Sequence, residues 1–177
     1  MQGRTRTSRR AGFTLLEVMT VVILIGIVSA TVIPSLAGVR DARAAAAAVE
    51  ARRLIALARE HAMLSGEPSA AAIDPDDESI ALQWIDSETG TIEPMPDALG
   101  TGRPAVRLDR SFAGAGIASF SDGAGTPGPG TVWFGFDGVP EVRNESGVLL
   151  GIASSDSVLA MDDGSTVTVR RGSGLIE

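Results

Sequence analysis

Hydrophobic and polar positions divide the chain into three textures. From Phe13 to Ile33 almost every position is apolar, the interruptions being small or hydroxyl-bearing residues and one acid, Glu17. These 21 residues, as a helix, span roughly 30 Å, the thickness of a hydrocarbon core. Gly26, Ser29 and Ala30 place small side chains where a neighbouring helix could approach closely. Pro34 predicts a kink or local melting. Beyond it the pattern becomes one-sided. Val39, Ala42, Ala46 and Val49, then Leu54, Leu57, Ala58 and Leu64, recur at mostly three- and four-residue steps among Arg and Glu positions, predicting an amphipathic continuation that Gly66 and Pro68 end. From Ser69 onward, short runs rich in β-branched and apolar residues (AAAI, SIALQWI, PAVRL, GIASF, TVWFGF, GVLLGI, SVLAM, STVTV) alternate with turn clusters. Asp137-Gly138 and Asp163-Gly164 are hairpin signals. The order predicts an α+β fold: a long N-terminal helix, transmembrane in its first half and amphipathic in its second, packed on a C-terminal antiparallel β domain. The Gly/Pro-rich stretch 121–130 reads as a loop that could be disordered.

Charge sharpens this picture. Arg4, Arg6, Arg9 and Arg10 precede the apolar run with no acid among them, and all 22 acids lie beyond this basic leader, against eleven of the fifteen basic residues, every one of them arginine. A basic end that stays cytoplasmic and an acidic body that crosses is the arrangement the positive-inside rule expects, and an acidic body disfavours broad polyanion binding. There is no cysteine, which excludes disulfides and thiolate metal sites. Residues 1–12 read as a targeting leader. A conventional secretory signal would be shorter and would end in a small-residue cleavage site. A twin-arginine signal, suggested by Ser8-Arg9-Arg10, is opposed by Glu17, and a plain uncleaved anchor explains neither Gly12 nor Glu17. Placing Glu17 among Leu15, Leu16, Val18, Val21 and Val22 costs roughly 2.5 to 3.5 kcal/mol on insertion scales, which makes it a candidate functional residue in need of a partner.

Gly12-Phe13-Thr14-Leu15-Leu16-Glu17, followed by an apolar helix, resembles the type IV prepilin signature shared by type IV pilins and the pseudopilins of type II secretion. The resemblance implies cleavage between Gly12 and Phe13 by a membrane prepilin peptidase, N-methylation of Phe13, and a pilin-like fold. Physically, cleavage creates an amine at Phe13 that Glu17 of an adjacent subunit can neutralise, so two costly charges become one paired assembly site. Pro34 falls where such helices often kink. The body is similar to the GspH/FimT group: LIALAREHAMLSGEPSAAAI (54–73), TVWFGFDGVP (131–140) and TVTVRRGSGLIE (166–177) look like that group's helix end and first strand, its late turn and its closing strand. Domains on this reading are a leader over 1–12, a transmembrane segment over 13–36, the helix continuation over 37–66 and a periplasmic β domain over 67–177.

Other candidate residues are weighed against plainer roles. His61, the one histidine, has no companion for a metal site or catalytic dyad and reads as structural. Asp74, Asp76, Asp77 and Glu78 could offer oxygen ligands to Ca²⁺, but lack EF-hand spacing and read as a solvated loop. Gly123 to Gly128 matches G-x-G-x-x-G only formally, since Pro127 and the missing strand–helix context make it a loop. Arg170 and Arg171 could touch phosphates, as in DNA-binding FimT-like pilins, but Glu177 and the surrounding acidity oppose it. Trp84, Trp133, Phe134 and Phe136 read as core or half-buried sheet residues, and Asn144-Glu145-Ser146 as an unsupported sequon. No enzymatic constellation and no cofactor site is visible. The expected function is a structural minor pseudopilin of type II secretion, with the prepilin peptidase, other pseudopilins or pilins, the inner membrane and the secretion assembly platform as partners and DNA not among them. The alternatives are a minor type IV pilin serving pilus assembly, adhesion or DNA uptake, and, in a different class, a membrane-anchored periplasmic binding module or enzyme.

Overall fold

The computed structural model describes residues 14–97 and 100–177, with the backbone alone for 31–37. The chain forms two compact units, Met1–Val39 and Arg40–Glu177. Helix α1, Leu15–Ser65, contributes to both.

In the first unit the described side chains from Leu15 to Ala30 are exposed on every side of the helix. Its start is closed by a reciprocal pair: the Glu17 backbone N–H donates to Thr14 Oγ1 at 3.3 Å, and the Thr14 N–H donates to Glu17 Oε2 at 3.4 Å. This is a capping box, Thr-x-x-Glu, which satisfies two helix-start donors. Among the described residues no helix is long and apolar enough to cross a membrane.

In the second unit α1 buries Ala44, Ala47, Ala51, Leu54, Ile55, Ala58 and Ala62. This corrects the predicted stripe in its first half: Val39, Ala42, Ala46 and Val49 face outward, Val49 being 65% exposed, and Leu64 is exposed too. The pentad Ala44–Ala48 has no hydropathy contrast, so the pattern cannot fix the helix phase there. The sheets choose the alanine face, because small side chains let the helix approach them closely. The helix ends at Ser65, where Gly66 takes φ +78° and donates to the Ala62 carbonyl at 3.0 Å.

Among the described residues ten strands follow: β1 Ser69–Asp74, β2 Ser79–Ile85, β3 Ile92–Pro94, β4 Val106–Arg107, β5 Ile117–Ser121, β6 Gly130–Phe134, β7 Pro140–Arg143, β8 Leu149–Ile152, β9 Ser157–Met161 and β10 Thr166–Val169, with a one-turn helix α2, Leu108–Ser111, after β4. A seven-stranded sheet runs β3-β2-β1-β6-β7-β8, with β4 also on β2, and a three-stranded sheet runs β10-β9-β5. All pairings are antiparallel. Strands β3 and β7 were not visible in the hydropathy pattern: IEP and PEVR contain proline and charge, and pairing with β2 and β6 makes them strands. Both Asp-Gly turns close hairpins, with Gly138 at φ +74° and Gly164 at φ +84°.

One core joins the helix alanines and Leu54 to Ala71, Ile73, Leu82, Val132 and Phe134 of the larger sheet, and to Phe120, Leu159, Met161, Val167 and Val169 of the smaller. Stretch 121–130 is tied down rather than loose. Asp122 Oδ1 accepts from the Ala124 and Thr126 N–H groups at 3.0 and 2.8 Å, and Gly128 N–H donates to the Phe120 carbonyl at 2.9 Å. Arg59 gathers three segments, donating from Nε to the Gly138 carbonyl at 3.0 Å and from Nη2 to the Ser173 carbonyl at 3.2 Å.

Candidate functional site

Gly12 and Phe13, the predicted cleavage and methylation residues, lie outside the described residues, as does the Pro34 side chain, and α1 is assigned as helix through position 34. Glu17 is described. It occupies the first turn of α1, where a negative charge is favoured by the helix dipole, and its carboxylate is turned back toward the helix start by the bond from Thr14 N–H. Around it Leu15, Leu16, Val18, Val21 and Val22 are exposed. The site is thus a single acid in the first turn of an uncovered apolar helix. The capping partner Thr14 was missed by the sequence reading, although Thr-Leu-Leu-Glu carries the box in its spacing.

The other candidates take structural places. Asp74 Oδ1 accepts from the Asp76 and Asp77 N–H groups at 3.0 and 3.2 Å, which uses it to close the β1–β2 turn. Asp77 lies 3.9 Å from Arg107 and Glu78 takes φ +49°. Among the described residues no group of three or more His, Asp or Glu side chains is placed to hold a metal ion.

Arg170 is engaged by two acids, Asp156 at 2.9 Å and Glu177 at 2.9 Å, while Arg171 donates its backbone N–H to Asp156 Oδ1 at 2.9 Å and its guanidinium to the Ser154 carbonyl. The Arg171 N–H and then Arg170 hold the Asp156 carboxyl below its ordinary range. Two arginines so occupied offer phosphates little.

His61 Nδ1 lies 2.7 Å from Ser69 Oγ, and its ring stands edge-on to Trp84 with centroids 5.7 Å apart. Burial lowers its pKa, opposed in part by Glu67. Trp133 and Phe134 are buried and Trp84 half-buried, but Phe136 departs from its expected place: it sits in the β6–β7 turn, 71% exposed. Asn144 Oδ1 accepts from the Ser146 and Val148 N–H groups at 3.0 and 2.9 Å and shapes the β7–β8 turn.

The Prokaryotic N-terminal methylation motif family matches residues 7–33. The fold is similar to that of the minor pseudopilin EpsH from the Type 2 Secretion System of Vibrio cholerae, with a TM-score of 0.52 and 16% identity, covering 76% of this chain and 94% of that one. A crystal structure of EpsH from the same system aligns with a TM-score of 0.44 and 16% identity over 73% of this chain and 95% of that one. No curated protein matches the sequence. The chain thus carries a prokaryotic N-terminal methylation motif over residues 7–33 and, behind it, a fold similar to that of a minor pseudopilin.

Proposed function

We propose that the protein is a structural minor pseudopilin of a type II secretion system, cleaved after Gly12, N-methylated at Phe13, and anchored through residues 13–36 in the inner membrane with its β domain in the periplasm. One observation carries the reading: an apolar helix start exposed on every side, with one carboxylate, Glu17, in its first turn. Such a surface demands lipid or neighbouring helices, and in either the carboxylate demands a positive partner. Cleavage would supply that partner as the Phe13 amine of a neighbouring subunit. The outward stripe Val39, Ala42, Ala46 and Val49 supports the same reading, because small and β-branched residues at helical spacing suit close packing against another helix. On this reading the peptidase and the other pseudopilins are the partners, and no chemistry is performed by the chain itself.

The test is filament incorporation of full-length Glu17→Ala and Glu17→Gln. Both are expected to lower incorporation on the order of tenfold or more, a paired charge in apolar surroundings being strongly coupled, while far-UV circular dichroism stays that of the wild type. Unchanged incorporation would overturn the assignment.

A further inference from the structure

The edges of a β-sheet present unpaired backbone groups, and soluble proteins cover, charge or interrupt them. Three of the four edges here follow that rule. Strand β10 is covered by the chain's own residues, with Thr168 N–H donating to the Glu177 carbonyl at 3.0 Å and Glu177 N–H to the Thr168 carbonyl at 2.9 Å. Strand β5 carries a bulge between Ile117 and Ser119 and is bridged by Pro127. Strand β3 is three residues long and contains Glu93 and Pro94. Strand β8, at the far end of the larger sheet, also shifts register, at Leu150 against β7, but among the described residues no bridge, proline or charge covers its outer edge. It is uncharged, and Val148, Leu149, Leu150 and Ile152 are 58, 51, 66 and 71% exposed.

One strand in from this edge, over β7 and β6, lies a cleft of about 480 Å³. Leu149 pairs with Arg143 and Ile152 with Glu141, so both aliphatic side chains share the sheet face on which the cleft opens. Trp133 and Thr131 belong to the lining, with Asp122, Glu141 and Glu145 set against one guanidinium, Arg143. That guanidinium is already engaged, 2.7 Å from Glu141, 2.8 Å from the Gly147 carbonyl and 6.0 Å over the Trp133 ring. The cleft therefore carries uncompensated negative charge near an apolar strand whose outer edge is uncovered among the described residues.

We propose that β8 and this cleft together form a docking surface for an extended segment of another protein, uncharged and apolar where it adds to β8 as a strand, with a Lys or Arg side chain entering the cleft. Strand addition draws affinity from main-chain hydrogen bonds and specificity from side-chain pockets. Charge complementarity selects the occupant: a second copy would bring a body of the same sign, the chain having a net charge of −7, whereas a basic side chain meets the carboxylates. Size argues for both parts acting together. An edge of four residues is about 13 Å long and falls short of the roughly 800 Å² per partner of a stable complex, so the cleft supplies the second anchor.

The surface lies outside the filament-forming helix, and the inference does not depend on the secretion reading. The test uses the purified full chain in detergent micelles, with capped pentapeptides of alternating valine and lysine, or valine and glutamate, as probes. The valine–lysine peptide is expected to bind saturably, to weaken with salt, and to slow amide exchange at Leu149, Leu150 and Ile152. Ile152→Lys and Glu145→Gln, both at exposed positions, are expected to weaken it about tenfold and about threefold respectively, a like charge and a lost charge at one edge. Equal binding of the two peptides, protection at some other strand, or wild-type affinity in Ile152→Lys would each overturn the proposal. None of these readouts depends on cleavage or filament incorporation, so this inference and the pseudopilin assignment can fail separately.

Discussion

Gly174 and Gly138 are held against each other beside Arg59, and they show how single residues constrain the fold. Gly174 takes φ +64°, and a Cβ there would collide with the Gly138 carbonyl oxygen and meet Arg59 Nε at 2.9 Å. The same carbonyl accepts from Arg59, so a methyl group would strain the backbone and break the bond together. Gly174→Ala is expected to destabilise the protein by about 1–3 kcal/mol, read as a lowered urea midpoint with unchanged slope. His61 supplies a pH dependence. Its folded-state pKa lies below the ordinary imidazole value of 6.5 because burial disfavours the cation, more than Glu67 favours it. The unfolded chain therefore binds the proton first as pH falls. The His61 contribution is present above about pH 6.5 and is lost as pH falls through the folded-state value. Urea midpoints compared at pH 7.5 and 5.5, acidity values chosen to lie about one unit either side of that ordinary value, are expected to drop more for the wild type than for His61→Gln.

At the scale of the element, the helix face is the most instructive case. Ala47 and Ala51 have no exposed surface, while Val49, two residues from each, points outward. Ala51→Leu is expected to cost about 1–3 kcal/mol by overpacking the helix–sheet interface, and Val49→Ser to stay within about 0.5 kcal/mol as an exposed substitution, both by urea unfolding. The reverse ranking would restore the stripe predicted from sequence. That stripe was legible from Leu54 to Ala58, where apolar residues stand among charged ones, and illegible across the alanine pentad, where every phase of the helix looks equally apolar. The strands divide in the same way. SIALQWI and SVLAM declared themselves through apolar and β-branched residues, whereas IEP and PEVR became strands only because neighbouring edges had free hydrogen-bonding groups.

For the whole molecule, the prepilin assignment predicts a covalent change that local structure does not reveal. Mass spectrometry of the mature protein is expected to find Phe13 at the amino terminus carrying one methyl group, and an intact leader would refute it. Of the candidate site, Glu17 is described in the first turn of α1, and the motif that names it together with Gly12 and Phe13 is a local string of neighbouring residues. The Thr14–Glu17 cap was equally local. Residues whose roles depend on distant partners were beyond such reading. Asp156 and Glu177 occupy Arg170 across strand connections, Phe136 is turned out by the β6–β7 hairpin, and β8 is an edge only because the strand order places it last. The sequence by itself determined the apolar helix, its lone acid, the acidic α+β body and the Asp-Gly turns, since hydrophobic periodicity and turn chemistry act over a few neighbours. Tertiary structure alone decided which alanines face the sheet, which arginines are engaged and which strand ends the sheet, since each depends on segments brought together from far along the chain.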